Sequence, residues 1–125
     1  MRESVLLSIK SQFANAILEG KKRFEYRRGL FRRKDVQRVI IYASAPEKKV
    51  IGEFLIEDVL SLEPGDLWAK TRRYAGIDKS YFDEYFAGKC QAYAIKVRNP
   101  HRYPKPLDLK VAFGMNRPPQ SFCYV

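Results

Sequence analysis

The sequence predicts an α+β fold, a small β-barrel with helices packed outside it. Three observations lead there: short β-branched runs separated by turn residues, a few helical stretches with recognisable start and stop signals, and a glycine inside a strand-like run, the device a small barrel uses to turn a corner. With 125 residues, 46% apolar and 30% charged, the chain has the size and balance of one domain, residues 1–125, able to bury a core.

The elements follow in order. "SVLLSI" (4–9) is a buried strand. Ser11 is placed to cap a short helix, "QFANAILE", whose Phe13, Ala14, Ile17 and Leu18 share one face. Gly20 then ends it in a left-handed conformation. "KRFEYR" alternates, with Phe24 and Tyr26 on one face and Arg23, Glu25 and Arg27 on the other, as a half-buried strand requires. The aromatic pair faces the core, leaving Glu25 and Arg27 side by side opposite. "VQRVIIYAS" (36–44) and "KKVIGEFLIEDVL" (48–60) form a strand pair around a short loop, with Gly52 marking a bulge or bend. Pro64 starts a helix before "GDLWAKTRRYAG", Asp78 caps "KSYFDEYFAG", and Gly76 and Gly88 punctuate the ends. "CQAYAIKVRN" (90–99) is again a strand. The tail from His101 to Val125, with prolines at 104, 106, 118 and 119, is expected to be largely irregular and laid over the body.

Charge carries the first functional signal. The chain has 24 basic and 14 acidic side chains, a net charge of +10. Eight of the basic residues (Lys21, Lys22, Arg23, Arg27, Arg28, Arg32, Arg33 and Lys34) fall between positions 21 and 34 against Glu25 alone. Solubility calls for dispersed charge, whereas one dense basic segment attracts anions, phosphate first among them. No run approaches the roughly 18 apolar residues of a membrane span, and the polar start "MRESVLLSIKSQ" lacks the apolar core of a secretion signal. A soluble cytoplasmic protein without a membrane partner is expected. Cys90 and Cys123 form no close pair and His101 is the one histidine, so reduced, partly buried thiols are expected, with no metal site, no disulfide and no cofactor.

Gly20, Lys22, Glu25 and Arg27 together make the pattern G-x-K-x-x-E-x-R, which resembles the signature of the ASCH domain, a relative of the PUA domain. "LLSIK", "IYASAP", "IGEF", "YAIKV" and the terminal "RPPQSFCYV" are similar to ASCH-type sequence in the same order, so the resemblance covers nearly the whole chain. It implies a PUA-like β-barrel that binds RNA or a nucleotide-like ligand in a cleft between barrel and helix, in RNA metabolism or in regulating transcription or translation. It also implies an alternative, since some small members hydrolyse N4-acetylcytidine or cleave RNA. By this resemblance Lys22, Glu25, Arg27, Arg28 and Ser44 are the ligand-binding candidates, with Lys22 and Glu25 catalytic if the protein is an enzyme.

The chemistry of these residues reads independently. Arg27 presents a planar fork of donors to a phosphate or base edge, and Lys22 a point charge that becomes a base if its pKa falls. Glu25 either fixes Arg27 and Lys22 or accepts hydrogen bonds from the exocyclic amine of a base. In a regular strand Lys22 and Glu25 would face opposite ways, so Lys22 must sit in the turn after Gly20 for both to line one cleft. From spacing alone, a surface ion pair on an edge strand is the simpler reading of Glu25 and Arg27. The amidohydrolase-like members carry a threonine at the place of Glu25 and use an acid from a later helix, for which Asp83 or Glu84 is available. Trp68, Tyr74, Tyr81, Phe82, Tyr85 and Phe86, at helical spacing, are expected to pack the core. His101 is expected at the surface. A third class, a regulator docking its basic segment on an acidic protein partner, fits the same charge, and the sequence specifies no oligomeric state.

Overall fold

β-Branched and aromatic residues concentrate where the computed structural model, which describes residues 4–125, places its strands. β1 (Ser4–Ile9), β2 (Phe24–Arg27), β3 (Arg38–Ala43), β4 (Lys49–Leu62), β5 (Ala92–Leu107) and β6 (Phe122–Tyr124) form one sheet in the order β2-β5-β4-β3-β1-β6. β1 and β3 run parallel and every other pair is antiparallel. Three helices of a turn or two, α1 (Ser11–Leu18), α2 (Pro64–Thr71) and α3 (Lys79–Tyr85), and the single-turn α4 (Leu109–Phe113) complete an α+β curled half-barrel. Met1, Arg2 and Glu3 of the polar start lie outside the described residues. Among the described residues no helix is long and apolar enough to cross a membrane.

The curl depends on local irregularity. Register shifts fall between Ile41 and Tyr42 in the β3–β4 pair and at three places along β4–β5, the first between Val50 and Gly52. A Cβ at Gly52 would lie 2.5 Å from the His101 carbonyl oxygen and 2.8 Å from a Leu18 methyl. The absent side chain is therefore what lets α1 and β5 close on the bend. Inside the curl, Val5, Leu7, Val39, Ile41 and Phe54 pack with Ala14 and Ile17 of α1. A second cluster joins Phe24 and Tyr26 to Leu67, Phe82 and Phe86, fixing α2 and α3 against β2 and β5.

Pro64 at the start of α2, Asp78 accepting from the Tyr81 N–H at the start of α3, and left-handed Gly20, Gly76 and Gly88 match the sequence expectations. Three expectations need correction. Ser11 is not the cap of α1; Lys10 occupies that position without a side-chain bond. Ser11 is instead the first helical residue, and its Oγ and Asn15 Nδ2 both donate to Glu47 Oε1, at 2.5 and 2.6 Å, a carboxylate from the β3–β4 loop that makes strong charge-assisted bonds. β2 is buried on both faces instead of half-buried, since the sheet curls over its second face. The tail is not irregular: β5 runs on to Leu107, Asp108 caps α4 by accepting from the Lys110 and Val111 N–H groups, and β6 pairs with β1.

Candidate functional site

The two edges of the sheet meet through one side chain. Arg27, at the end of edge strand β2, donates from Nη2 to the Ser121 carbonyl (3.2 Å) and Oγ (2.5 Å), just before edge strand β6, and from Nη1 to the Ser8 carbonyl (3.4 Å). The same Nη1 donates to Glu25 Oε2 at 3.1 Å. Only 7% of the Glu25 side chain and 11% of that of Arg27 are exposed. The pair is thus on an edge strand but buried, and the simple surface-pair reading fails. A buried carboxylate–guanidinium pair persists only with its remaining donors engaged, which Ser8 and Ser121 accomplish here.

Lys22 lies between Gly20 and β2, before the strand alternation begins, as a shared cleft requires. It is 1% exposed, its Nζ donates to the Ala75 carbonyl at 2.6 Å, and its ammonium lies 4.7 Å from the Tyr26 ring centre and 5.2 Å from that of Phe13. Burial pulls its pKa from the ordinary 10.5 down to about 8, against the opposing pull of Glu25. Gly76, with φ of +68°, makes room: a Cβ there would lie 2.5 Å from Lys22 Cβ and Cγ.

Lys22, Glu25, Arg27 and Arg28 line one cavity of about 280 Å³, together with Ser8, Tyr26, Tyr81, Tyr85 and Ser121. Arg28 rests on the Tyr85 ring at 4.8 Å. Ser44 does not line it; it follows β3, where its N–H donates to the Ile9 carbonyl. Neither Asp83 nor Glu84 lines it either, and Asp83 pairs outward with Lys79. The face that α3 turns to the cavity carries Tyr81 and Tyr85, which the core expectation missed, while Phe82 and Phe86 are buried as expected. The signal was present in "YFDEYF": a hydroxyl on the ring favours the wetter position, and Tyr85 Oη indeed donates to the Tyr26 carbonyl. Tyr74 is 40% exposed under the Arg23 guanidinium and does not belong to the core. The terminal "PPQSF" both clamps and lines, since Pro119 accepts from Ser8 Oγ while Gln120 and Ser121 reach the cavity. His101 is exposed, as is Cys90, against the expectation of partial burial. Among the described residues no group of three or more His, Cys, Asp or Glu is disposed to hold a metal ion.

A curled half-barrel with its edges pinned around a lysine, a glutamate and an arginine defines a PUA-like domain. The chain belongs to the ASCH domain family, which matches residues 7–101. It is 32% identical to an ASCH domain-containing ribonuclease of Zymomonas mobilis subsp. mobilis, over 99% of this chain and 85% of that protein. It is also 34% identical over 90 residues to the large ribosomal subunit protein uL22 of Ureaplasma parvum, of whose length it spans only 29%. The crystal structure of ASCH from Zymomonas mobilis superposes with a TM-score of 0.88 at 31% identity, covering 100% of this chain and 89% of that one. The N-terminal domain of Staphylothermus marinus McrB shares the fold at 12% identity, with a TM-score of 0.56 over 92% of this chain and 81% of that one.

Proposed function

We propose that this ASCH domain binds RNA or a nucleotide-like ligand in a basic cleft around Lys22, Glu25 and Arg27. One observation supports the reading above others: a buried lysine and carboxylate and a largely covered arginine from one short stretch converge on a cavity walled by tyrosines. At about 280 Å³ the cavity sits at the small end of ligand sites, the scale of one base or nucleoside and not of a folded nucleic acid. Tyrosine rings offer stacking faces, Glu25 accepts from an exocyclic amine, and Arg27 and Lys22 answer negative charge. Arg28 lines the cavity, and Arg23, Arg32 and Arg33 of the same basic segment add to a positive field that draws in the phosphate backbone.

The test is a titration of wild type and Glu25→Gln against a preferred nucleotide and against random single-stranded RNA, with a thermal melt to verify the fold. Specific affinity is expected to fall by about 1–3 kcal/mol, the value of a base contact. Affinity for random RNA is expected to rise, because net charge moves from +10 to +11. Parallel changes for both ligands would overturn the reading.

A second reading is catalytic, and the lowered pKa of Lys22 favours it. Near pH 8 a substantial fraction of Lys22 is a neutral amine. Such an amine takes the proton of an RNA 2′-hydroxyl; the 2′-oxygen attacks the adjacent phosphorus to give a 2′,3′-cyclic phosphate, the bond to the 5′-oxygen breaks, that oxygen leaves as a hydroxyl by taking a proton from water, and Lys22 returns its proton to the hydroxide so formed. The name of the Zymomonas relative, a ribonuclease, lends support. In the amidohydrolase version Glu25 activates water and Lys22 stabilises the oxyanion. Incubation with labelled RNA and with N4-acetylcytidine separates the readings: turnover lost in Lys22→Ala establishes the enzyme, and binding without turnover leaves the binding module.

A further inference from the structure

The acidic partners of the cations on this molecule are unevenly shared. Lys21, Arg27, Arg33, Arg38, Lys49, Lys79 and Lys96 each reach a carboxylate at 3.6 Å or less. Lys10 and Arg28, both exposed and both lining the cavity, make no ion pair among the described residues. Each lies instead over a tyrosine ring: the Lys10 ammonium 5.3 Å from the centre of Tyr81, and the Arg28 guanidinium 4.8 Å from that of Tyr85.

Those two rings form a rigid platform. Tyr81 and Tyr85 are one helical turn apart on α3 and stack at 6.4 Å and 16°. Tyr81 is held edge-on by Phe13, and Tyr85 by Phe86 and by the hydrogen bond to the Tyr26 carbonyl. The two cations come from separate strand ends, Lys10 just after β1 and Arg28 just after β2, and each is seated on its own ring. A cation held over a ring keeps its position and its charge without a carboxylate to neutralise it, so two anionic groups reaching the cavity together meet two separate, preset partners.

We infer that Lys10 and Arg28 hold the two phosphates flanking a nucleotide whose base enters the cavity. The ligand is then an internal residue of a single strand and not a free nucleoside. This rests on the proposed binding function and adds the ligand class and Lys10 as a binding residue.

The experiment titrates the intact protein with the four ribonucleosides and the four homotrinucleotides by calorimetry, at several salt concentrations, then repeats this with Lys10→Gln and Arg28→Gln. For wild type the best trinucleotide binds more tightly than its nucleoside. Each substitution lowers that preference about three- to five-fold, the scale of one partly exposed ion pair. Each also reduces the slope of log K against log salt by roughly 0.7, one phosphate's share on a single strand. Both positions are exposed, so unchanged thermal melts accompany these losses. An unaltered preference and slope in both variants overturns the inference while the binding function stands. Failure of nucleosides and trinucleotides alike to bind wild type overturns the binding function itself.

Discussion

Replacing Lys22 by Met removes a buried ammonium and keeps most of its stem, and the consequence is a change in how stability depends on pH. In the folded protein Lys22 titrates at about 8, against an ordinary value of 10.5. Each pKa unit is worth about 1.36 kcal/mol, so holding the charge in the fold costs on the order of 3 kcal/mol at neutral pH. Below pH 8 the lysine is protonated in both folded and unfolded chains, and the cost is constant. Between about 8 and 10.5 the unfolded chain binds more protons than the folded one, so stability attributable to Lys22 rises with pH. Burial of Tyr26, whose pKa is pushed up to about 12, and the raised values of Tyr85 and Tyr103 act in the opposite sense. They do so only above about pH 10, where an unfolded tyrosine begins to ionise. The window from about pH 8 to 10 therefore isolates Lys22. Across it, wild type is expected to gain about 2 kcal/mol relative to Lys22→Met in urea unfolding. Loss of the hydrogen bond to the Ala75 carbonyl shifts the variant by an amount that does not depend on pH in this window. Parallel stability curves for the two proteins would refute the buried, depressed lysine.

Gly76→Ala forces a β-carbon into the Lys22 stem at a left-handed position; a loss of about 2–5 kcal/mol is expected from strain and overpacking together, read by thermal unfolding, with ligand binding weakened as Lys22 moves. Gly52→Ala sets a methyl against the His101 carbonyl and Leu18; urea unfolding should show about 1–3 kcal/mol lost, and an unchanged midpoint would mean that the bend relaxes. Replacing Arg32 and Arg33 together by Ala should lower the salt slope of RNA binding by about 0.7, not twice that, because Arg33 is already engaged by Asp35. A slope identical to that of wild type would remove this segment from the RNA path.

Much of the site was legible because its geometry is local. Alternation alone assigned Phe24 and Tyr26 to the core and Glu25 and Arg27 to the opposite face, and the opposed direction of Lys22 demanded the turn where it is found. What remained hidden depends on contacts distant in sequence. β6 lies more than 100 residues from the strand it pairs with, and nothing in "SFCYV" announces that partner. The prolines of β5 suggested irregular chain. β2 covers β5 only from Tyr93 to Lys96, however, so Pro100, Pro104 and Pro106 stand where β5 has a free edge and a missing N–H costs no ladder bond. Arg27 looked like the partner of its neighbour Glu25, and its second task of joining β2 to the Ser121 segment follows only from the curl of the sheet. Tyr81 and Tyr85 were grouped with Phe82 and Phe86 because helical spacing distinguishes faces poorly when aromatics occupy adjacent positions.

The central claim is that RNA enters the cavity bounded by Lys22, Glu25 and Arg27, and amide chemical-shift mapping of the labelled protein during titration with a short single-stranded RNA tests it most directly. The largest shifts are expected at Ile9, Glu25, Arg27, Tyr81, Tyr85 and Ser121, which come from four separate stretches of the chain and meet around that cavity. Shifts confined to the far end of β5 and α4, around Lys105 and Lys110, with the cavity amides unmoved at saturation, would contradict it.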